Sequence, residues 1–320
     1  MSEVPGGMEM EETWDNTKLS AWMNCEMQGF YAHGYEGTGI IPKEPSVALA
    51  FGLGFHAMVE EWCLQYLKGV EDEAAQYTAF EREWIRELPV ERREALELKL
   101  DKHSVANAKR LFRGYKEKFP VSLYKPLEVE KPFRFYLGQA RPGLDVYWSG
   151  ILDRIVEFQG ETYFLELKTS SHRIDENWLR SFQVSGQLRG YIWAGQKLVG
   201  KDFAGAIIHG VEKGAIPKTT RATRTVSEMI GASIVEVSPQ LIEEWRQNTL
   251  DKIASISHTV TAGRYVMNLG DACNAYNWSG CSYRDLCGAD IGMRERLIES
   301  GYVKRIWNPL DPEQRSRIVQ

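Results

Sequence analysis

The sequence predicts an α/β fold, a central mixed β-sheet flanked by helices with a large helical block ahead of it. Three observations carry this. Apolar residues recur at helical spacing between Val47 and Lys118. Runs rich in β-branched and aromatic residues cluster between Leu127 and Val211. A single helical run separates the last two of them.

In chain order, residues 1–13, with Gly6-Gly7 and no periodicity, are expected to be disordered. Thr17 or Ser20 can cap a short helix running through Cys25 to Tyr31. Residues 34–45 read as a loop, dense in glycine and broken by Pro42 and Pro45. Helical patterns follow over 47–68, 73–87 and 91–118, with Pro89 as the break. Strands are expected over 127–137, 146–158, 162–168 and 203–211, with a helix over 176–198 before the last. A further helix over 239–257 precedes a cysteine-bearing segment. The domain plan is therefore one domain over 14–290. It holds a helical insertion (47–118), a core (119–213) and a cysteine segment (265–290), followed by a polar tail over 291–320.

Bulk properties set limits. A chain of 320 residues can bury a sizeable core in one large domain or two small ones. The acidic start, Met8-Glu9-Met10-Glu11-Glu12, is the reverse of a secretory signal. No apolar run approaches the roughly 20 residues that span a bilayer. Five cysteines do not suggest a secreted disulfide framework. The expectation is a cytoplasmic protein without membrane association.

The richest stretch is Gly150-Ile151-Leu152-Asp153-Arg154 with Leu165-Glu166-Leu167-Lys168. A turn at Gln159-Gly160 joins the two strands. If those are the two turn residues, positions summing to one total pair, and Asp153 lies opposite Glu166, about 5 Å apart at Cβ. Side chains alternate, so Glu166 and Lys168 share a face. Two carboxylates that close repel unless a cation lies between them, and oxygen ligands suit Mg²⁺ or Mn²⁺.

This pattern resembles the PD-(D/E)XK nuclease superfamily, in particular its RecB-like exonuclease branch, which carries Gly-x-x-Asp followed by a Glu-x-Lys. Gln187-Leu188-Arg189-Gly190-Tyr191 is similar to the branch's Gln-x-x-x-Tyr motif, and Gly52-Leu53-Gly54-Phe55-His56 to its Gly-x-x-x-His segment. Glu130 is similar to the glutamate before the Gly-x-x-Asp strand. The resemblance covers Cys25 to Cys287 and implies a restriction-endonuclease-like core. It implies a metal-dependent DNA exonuclease acting on single-stranded or end-processed DNA in recombination, repair or phage DNA metabolism. Asp153, Glu166, His56 and the Leu167 carbonyl would hold Mg²⁺ or Mn²⁺. Lys168 would stabilise transition-state charge, and Gln187 and Tyr191 would hold DNA or the lysine, with Gln183 able to substitute. Read from residues alone, His56 is a core or surface histidine on an apolar helix, Gln187 and Tyr191 a polar helix edge, and Glu130 a strand-edge charge.

Cys273, Cys281 and Cys287 follow Cys-x7-Cys-x5-Cys, with Cys25 alone near the other end. Thiolates so grouped in a reducing compartment favour a metal or an iron–sulfur cluster over disulfides. The resemblance implies that these four ligate a [4Fe–4S] cluster joining the chain ends. Glu26 stands where that family commonly has proline, and Cys-x7-Cys where it has Cys-x2-Cys. Zinc and free thiols are the other readings. Cys63 is expected in the core.

The formal net charge of −5 argues mildly against nucleic acid. Two basic stretches run the other way: Lys102, Lys109, Arg110, Arg113 and Lys116, then Lys213, Lys218, Arg221 and Arg224. Trp178, Phe182 and Tyr191 are candidates to stack bases of a threaded strand. The rival from another class is a nucleic-acid-binding protein on a decayed nuclease fold, stapled by its metal cluster.

Overall fold

The computed structural model describes residues 10–99, 101–200, 203–214, 224–270, 272–273 and 280–311. In chain order the elements are β1 (Met10–Trp14), α1 (Asn16–Asn24), α2 (Glu26–His33), β2 (Ile40–Pro42), α3 (Val47–Lys68), α4 (Glu73–Glu87), α5 (Val90–Leu98) and α6 (Val105–Lys118). They continue as β3 (Lys125–Arg141), β4 (Leu144–Phe158), β5 (Glu161–Ser170), α7 (Glu176–Arg180), α8 (Gly186–Val199), β6 (Phe203–Glu212) and β7 (Ile230–Val235). The last are α9 (Pro239–Ala262), α10 (Arg284–Gly288), α11 (Ile291–Gly301) and β8 (Tyr302–Lys304).

The chain forms two compact units. One comprises residues 45–132 and 151–242, the other 1–44, 133–150 and 243–320. Neither is contiguous, and composition does not shift at the crossings, so no boundary shows in the sequence.

In the unit of residues 45–132 and 151–242, the sheet is mixed as expected. The latter part of β4 pairs antiparallel with β5, β5 parallel with β6, and β6 antiparallel with β7. Gln159 and Gly160 both take positive φ, 54° and 86°, the geometry of a two-residue hairpin turn that matches strand twist. The register that results, Arg154 opposite Leu165 through Phe158 opposite Glu161, is the one the turn dictates.

Helices α3, α4 and α6 cover this sheet with an aromatic core. Phe51, Phe55, Phe80, Trp84, Phe112 and Tyr115 are all buried in one cluster with Leu167 of β5. Ser46 caps α3 through the Leu49 N–H, Asp72 caps α4, and Ser104 caps α6. Helix α3 is long and apolar enough to cross a membrane, which corrects the reading that no run approaches that length. Its Phe51, Phe55, Met58 and Val59 are instead buried in this core.

Two expected helices are each divided. The run 91–118 breaks because Asp101 accepts the His103 N–H and Ser104 that of Asn107, so these side chains compete for the backbone. The run 176–198 breaks where Ser185 caps α8 by accepting the Leu188 N–H.

In the other unit, β1 runs parallel to the first part of β4, from Met10 beside Leu144 to Trp14 beside Trp148. The disorder expected over 1–13 is thus corrected for residues 10–13, and residues 1–9 lie outside the described set. Acidic residues on a half-exposed edge strand hid it, and Trp14 anchors it at 2% exposure. Asp15, not Thr17 or Ser20, caps α1 by accepting the Lys18 N–H at 2.7 Å. The expected loop 34–45 contains β2, which pairs antiparallel with β8. The expected tail is therefore structured over Ile291–Lys304. Leu297, Ile298 and Tyr302 pack on the cluster of Tyr31, Ile40, Tyr283 and Leu286.

Gly54 lets α3 approach α4. A Cβ there would lie 2.8 Å from Phe80 Cδ2, and one at Gly52 would lie 3.2 Å from Thr169 Oγ1. The glycine pair is a packing device. Gly54→Val is expected to cost about 1–3 kcal/mol through overpacking, read as a lower urea midpoint. An unchanged midpoint would show that the contact has slack.

Candidate active site

The hairpin carries the site at the end of its ladder. Just past the Arg154–Leu165 pair, Asp153 Oδ2 accepts the Leu167 N–H at 3.2 Å. Nδ1 of His56, on α3, lies 3.4 Å from the same oxygen. Glu166 is 3% exposed and ion-paired with Lys168, whose Nζ also donates to Gln187 Oε1 at 3.0 Å. Gln187 Nε2 reaches Glu166 Oε1 and the Tyr191 hydroxyl, both at 3.5 Å. Tyr191 is held edge-on by Phe164, with ring centroids 5.1 Å apart. One unit thus brings together His56, Asp153, Glu166, Leu167, Lys168, Gln187 and Tyr191.

Burial opposes the charge on Lys168, but Glu166 and then Asp153 overcome it and hold the ammonium above the ordinary lysine pKa. The side chain is therefore a cation at neutral pH, suited to a charge partner and not to a base.

A cleft of about 10 Å³ is lined by His56, Val59, Glu60, Glu130, Asp153, Arg154 and Leu167. It has room for an ion or a single water and not for a nucleotide. Glu130, which the sequence left open as an edge charge, belongs to this lining. It takes φ 52° inside β3, a left-handed conformation that costs a non-glycine residue on the order of 1–3 kcal/mol. Glu60 was missed. Its signal was available, since it follows His56 by four positions and so shares its helix face.

Arg154 was also missed, because alternation turns it away from Asp153 into the core. It is 5% exposed, and Nη1 donates to the Tyr115 hydroxyl at 3.2 Å. That hydroxyl lies 2.8 Å from Nδ1 of His209, whose ring stacks on Phe119 at 3.8 Å. Burial, then the Arg154 charge, keeps His209 neutral. Burial works against Arg154 too, but Tyr115, Cys63 and Asp153 hold it charged. Cys63 is buried as expected.

Other expected residues fall elsewhere. Gln183 lies in a 3-10 turn before α8 and donates to the Ile234 carbonyl at 3.0 Å, so it does not share the Gln187 face. Trp178 lies over Gly210 and against Phe182, 4.7 Å between centroids, and both rings are half-buried. Most cations of the first basic stretch are matched. Lys109 pairs with Glu81 at 2.9 Å, Lys116 and Arg113 with Glu73 at 3.5 and 3.8 Å, and Arg110 donates to the Gly214 carbonyl. In the second stretch Lys213 is buried, which with Lys102 pushes its pKa down to about 8, and Arg224 pairs with Glu212. Lys218 and Arg221 lie outside the described residues.

The four cysteines share the unit of residues 1–44, 133–150 and 243–320. Cys25 Sγ accepts the Asn268 N–H at 3.3 Å, and the Cys273 thiol lies 3.5 Å from the Asn268 carbonyl. The Cys281 N–H donates to the Cys273 carbonyl at 3.2 Å. Burial and then the neighbouring Cys25, Cys281 and Cys273 push Cys287 up to about 11. Among the described residues, no three His, Cys, Asp or Glu side chains converge on one metal position, here or at Asp153.

Residues 15–288 match the family model of the PD-(D/E)XK nuclease superfamily. The chain belongs to that superfamily. Its members are nucleases that generally use Mg²⁺ or Mn²⁺. Among solved structures the chain is similar to one named "Putative exonuclease" from Eubacterium rectale. Identity is 15%, coverage 80% of this chain and 85% of that one, and the TM-score 0.45. It is also similar to one named SSO0001, at 13% identity, 62% and 82% coverage and a TM-score of 0.31. No curated protein matches the chain.

Lys168→Ala is expected to lower nuclease turnover by about a thousandfold, the loss typical of a transition-state charge partner, while nucleic-acid binding persists. Near wild-type turnover in that variant would exclude Lys168 from the chemistry.

Proposed function

We propose that this nuclease is a metal-dependent exonuclease that hydrolyses phosphodiester bonds of DNA, working from free ends or on single strands. The observation that carries the hydrolytic reading is the joined pair of arrangements described above, His56–Asp153–Leu167 beside Glu166–Lys168–Gln187–Tyr191.

The donor chemistry fits Mg²⁺ or Mn²⁺, with two carboxylates, one imidazole and a main-chain carbonyl. Asp153, Glu166, His56 and the Leu167 carbonyl would hold the ion. When bound, such a cation lowers the pKa of water and polarises a phosphoryl oxygen. Lys168 keeps its proton and presents a fixed positive charge to the phosphate as negative charge builds in the transition state. Gln187 accepts from Lys168 and so fixes the direction of that charge. The Leu167 N–H and His56 hold Asp153 in one rotamer, so its second oxygen is oriented before substrate arrives.

The preference for ends rests on the Gln187/Tyr191 pair, which resembles the exonuclease branch. Its test is a covalently closed single-stranded circle beside the same strand in linear form, with Mn²⁺. The linear strand should disappear much faster. Equal rates on both would show that no free end is needed.

Cys25, Cys273, Cys281 and Cys287 are proposed to hold a [4Fe–4S] cluster. Support comes from four thiols gathered in one unit and close enough to raise the pKa values of Cys281 and Cys287. Protein purified without oxygen should be brown and carry iron and sulfide in similar amounts, and Cys25→Ser should be pale. Colourless protein with stoichiometric zinc would replace the cluster with a zinc staple.

A further inference from the structure

The unit of residues 1–44, 133–150 and 243–320 contains a cavity of about 390 Å³ whose lining includes none of the cysteines. That lies within the roughly 300–1,000 Å³ of small-molecule sites. Its lining has two halves. Thr13, Lys18, His33, Thr38 and Arg134 are polar or cationic, whereas Ile306, Trp307, Pro309 and Leu310 are apolar, with Asn308 between them in sequence. None of the described lining residues is an aspartate or glutamate.

The neighbouring acids are already engaged. Glu11 lies 3.3 Å from Arg134, and Glu12 accepts from the Trp14 indole at 2.7 Å. Asp15 accepts the Lys18 N–H and, at 2.9 Å, the Trp307 indole N–H. The cations keep donors in reserve. Arg134 uses Nε on Thr13 Oγ1 and Nη2 on Glu11, two contacts for five N–H groups. Lys18 reaches only the Thr13 carbonyl at 3.4 Å while lying over the Trp14 ring. His33 Nδ1 and Arg305 Nε are buried without a hydrogen-bond partner among the described residues. Arg305 also lies over the Trp307 ring at 4.4 Å, so the indole is held rigidly on one side by a cation and by its bond to Asp15.

A half-cationic, half-apolar lining recognises an anion joined to a flat apolar body. We propose that this cavity binds a nucleoside monophosphate, with the phosphate toward Lys18, Arg134 and the Thr13 and Thr38 hydroxyls and the base against Trp307 and Ile306. Choosing a nucleotide among amphiphilic anions rests on the nuclease reading, since such a molecule is what exonucleolytic cleavage releases. The site itself does not depend on turnover.

The test is calorimetry on the full chain in EDTA with dAMP, deoxyadenosine and inorganic phosphate as separate probes. dAMP is a monoester with no phosphodiester bond to cleave, so binding is read without turnover and a failed nuclease assay and a failed binding assay remain distinguishable. Binding of dAMP should exceed that of either fragment by about tenfold or more, the value of one charged hydrogen bond. Lys18→Gln and Thr38→Val should each weaken dAMP by a similar factor. Ile306→Ala, at an exposed position, should weaken it without affecting folding, and Asp153→Ala should leave it unchanged. Deoxyadenosine binding as tightly as dAMP would overturn the phosphate subsite. Loss of binding in Asp153→Ala with none in Lys18→Gln would place the nucleotide at the hairpin and overturn the proposal. So would no heat from any probe at millimolar concentration.

Discussion

The register of the β4–β5 hairpin is the constraint on which the site depends. Because side chains alternate with period two, a slip of one residue would exchange the two faces of β5, turning Glu166 and Lys168 away from Gln187 and putting Leu165 and Leu167 in their place. The two-residue turn forbids that slip. Gln159 and Gly160 both sit at positive φ, which only a tight primed turn requires, and the ladder above them has no freedom to shift. The hairpin ladder stops at Arg154 and Leu165. Just past it, Asp153 accepts the Leu167 N–H on one side-chain oxygen, which ties the aspartate to the neighbouring strand.

The site places charge in a largely apolar setting. A glutamate at 3% exposure is costly unless paired and hydrogen-bonded. Lys168 pairs with it, and Gln187 holds that pair from α8. Behind Asp153, Arg154 is a second buried charge, satisfied by Tyr115, which in turn meets the neutral His209. The network links β4, α6 and β6, so the aspartate's backbone is pinned by hydrogen bonds from the core side as well as by pairing along the strand. Glu130 belongs to the same economy. A left-handed glutamate in a strand persists only where the surroundings over-determine it, and it lines the same cleft as Asp153.

Much of this was legible because it is local. The turn residues fix the hairpin register from Phe158 opposite Glu161 to Arg154 opposite Leu165, and Asp153 then meets the Leu167 N–H. The i,i+4 spacing puts Gln187 and Tyr191 on one face. The expected helices 47–68 and 73–87 match α3 and α4, and Pro89 marks the break before α5. What escaped depends on distant partners. β1 carries acidic residues that read as a solvated terminus until β4 pairs with it. Ser104 and Ser185 lie inside helical patterns, and only their cap bonds show where the chain turns. Arg154 looks like a surface cation in sequence, and its burial follows from Tyr115, 39 positions away. The two-unit division is invisible for the same reason, since both units are built from separated segments.

The distribution of positive charge completes the picture. Residues on α6 that look in sequence like a phosphate-binding stripe are matched by Glu73 and Glu81 of α4. At separations near 3–4 Å such exposed pairs add little stability, but they cancel one another's long-range field. Over much of that helix, therefore, the potential a phosphate would feel is small. A chain with net charge −5 and a paired basic helix must draw its attraction for nucleic acid from a few cations placed at sites. Lys168 is one of them, held above its usual pKa between two carboxylates. Any metal held by those same carboxylates would reverse the local sign. Charge in this nuclease is concentrated where a phosphate must be recognised, and is compensated along the basic helix.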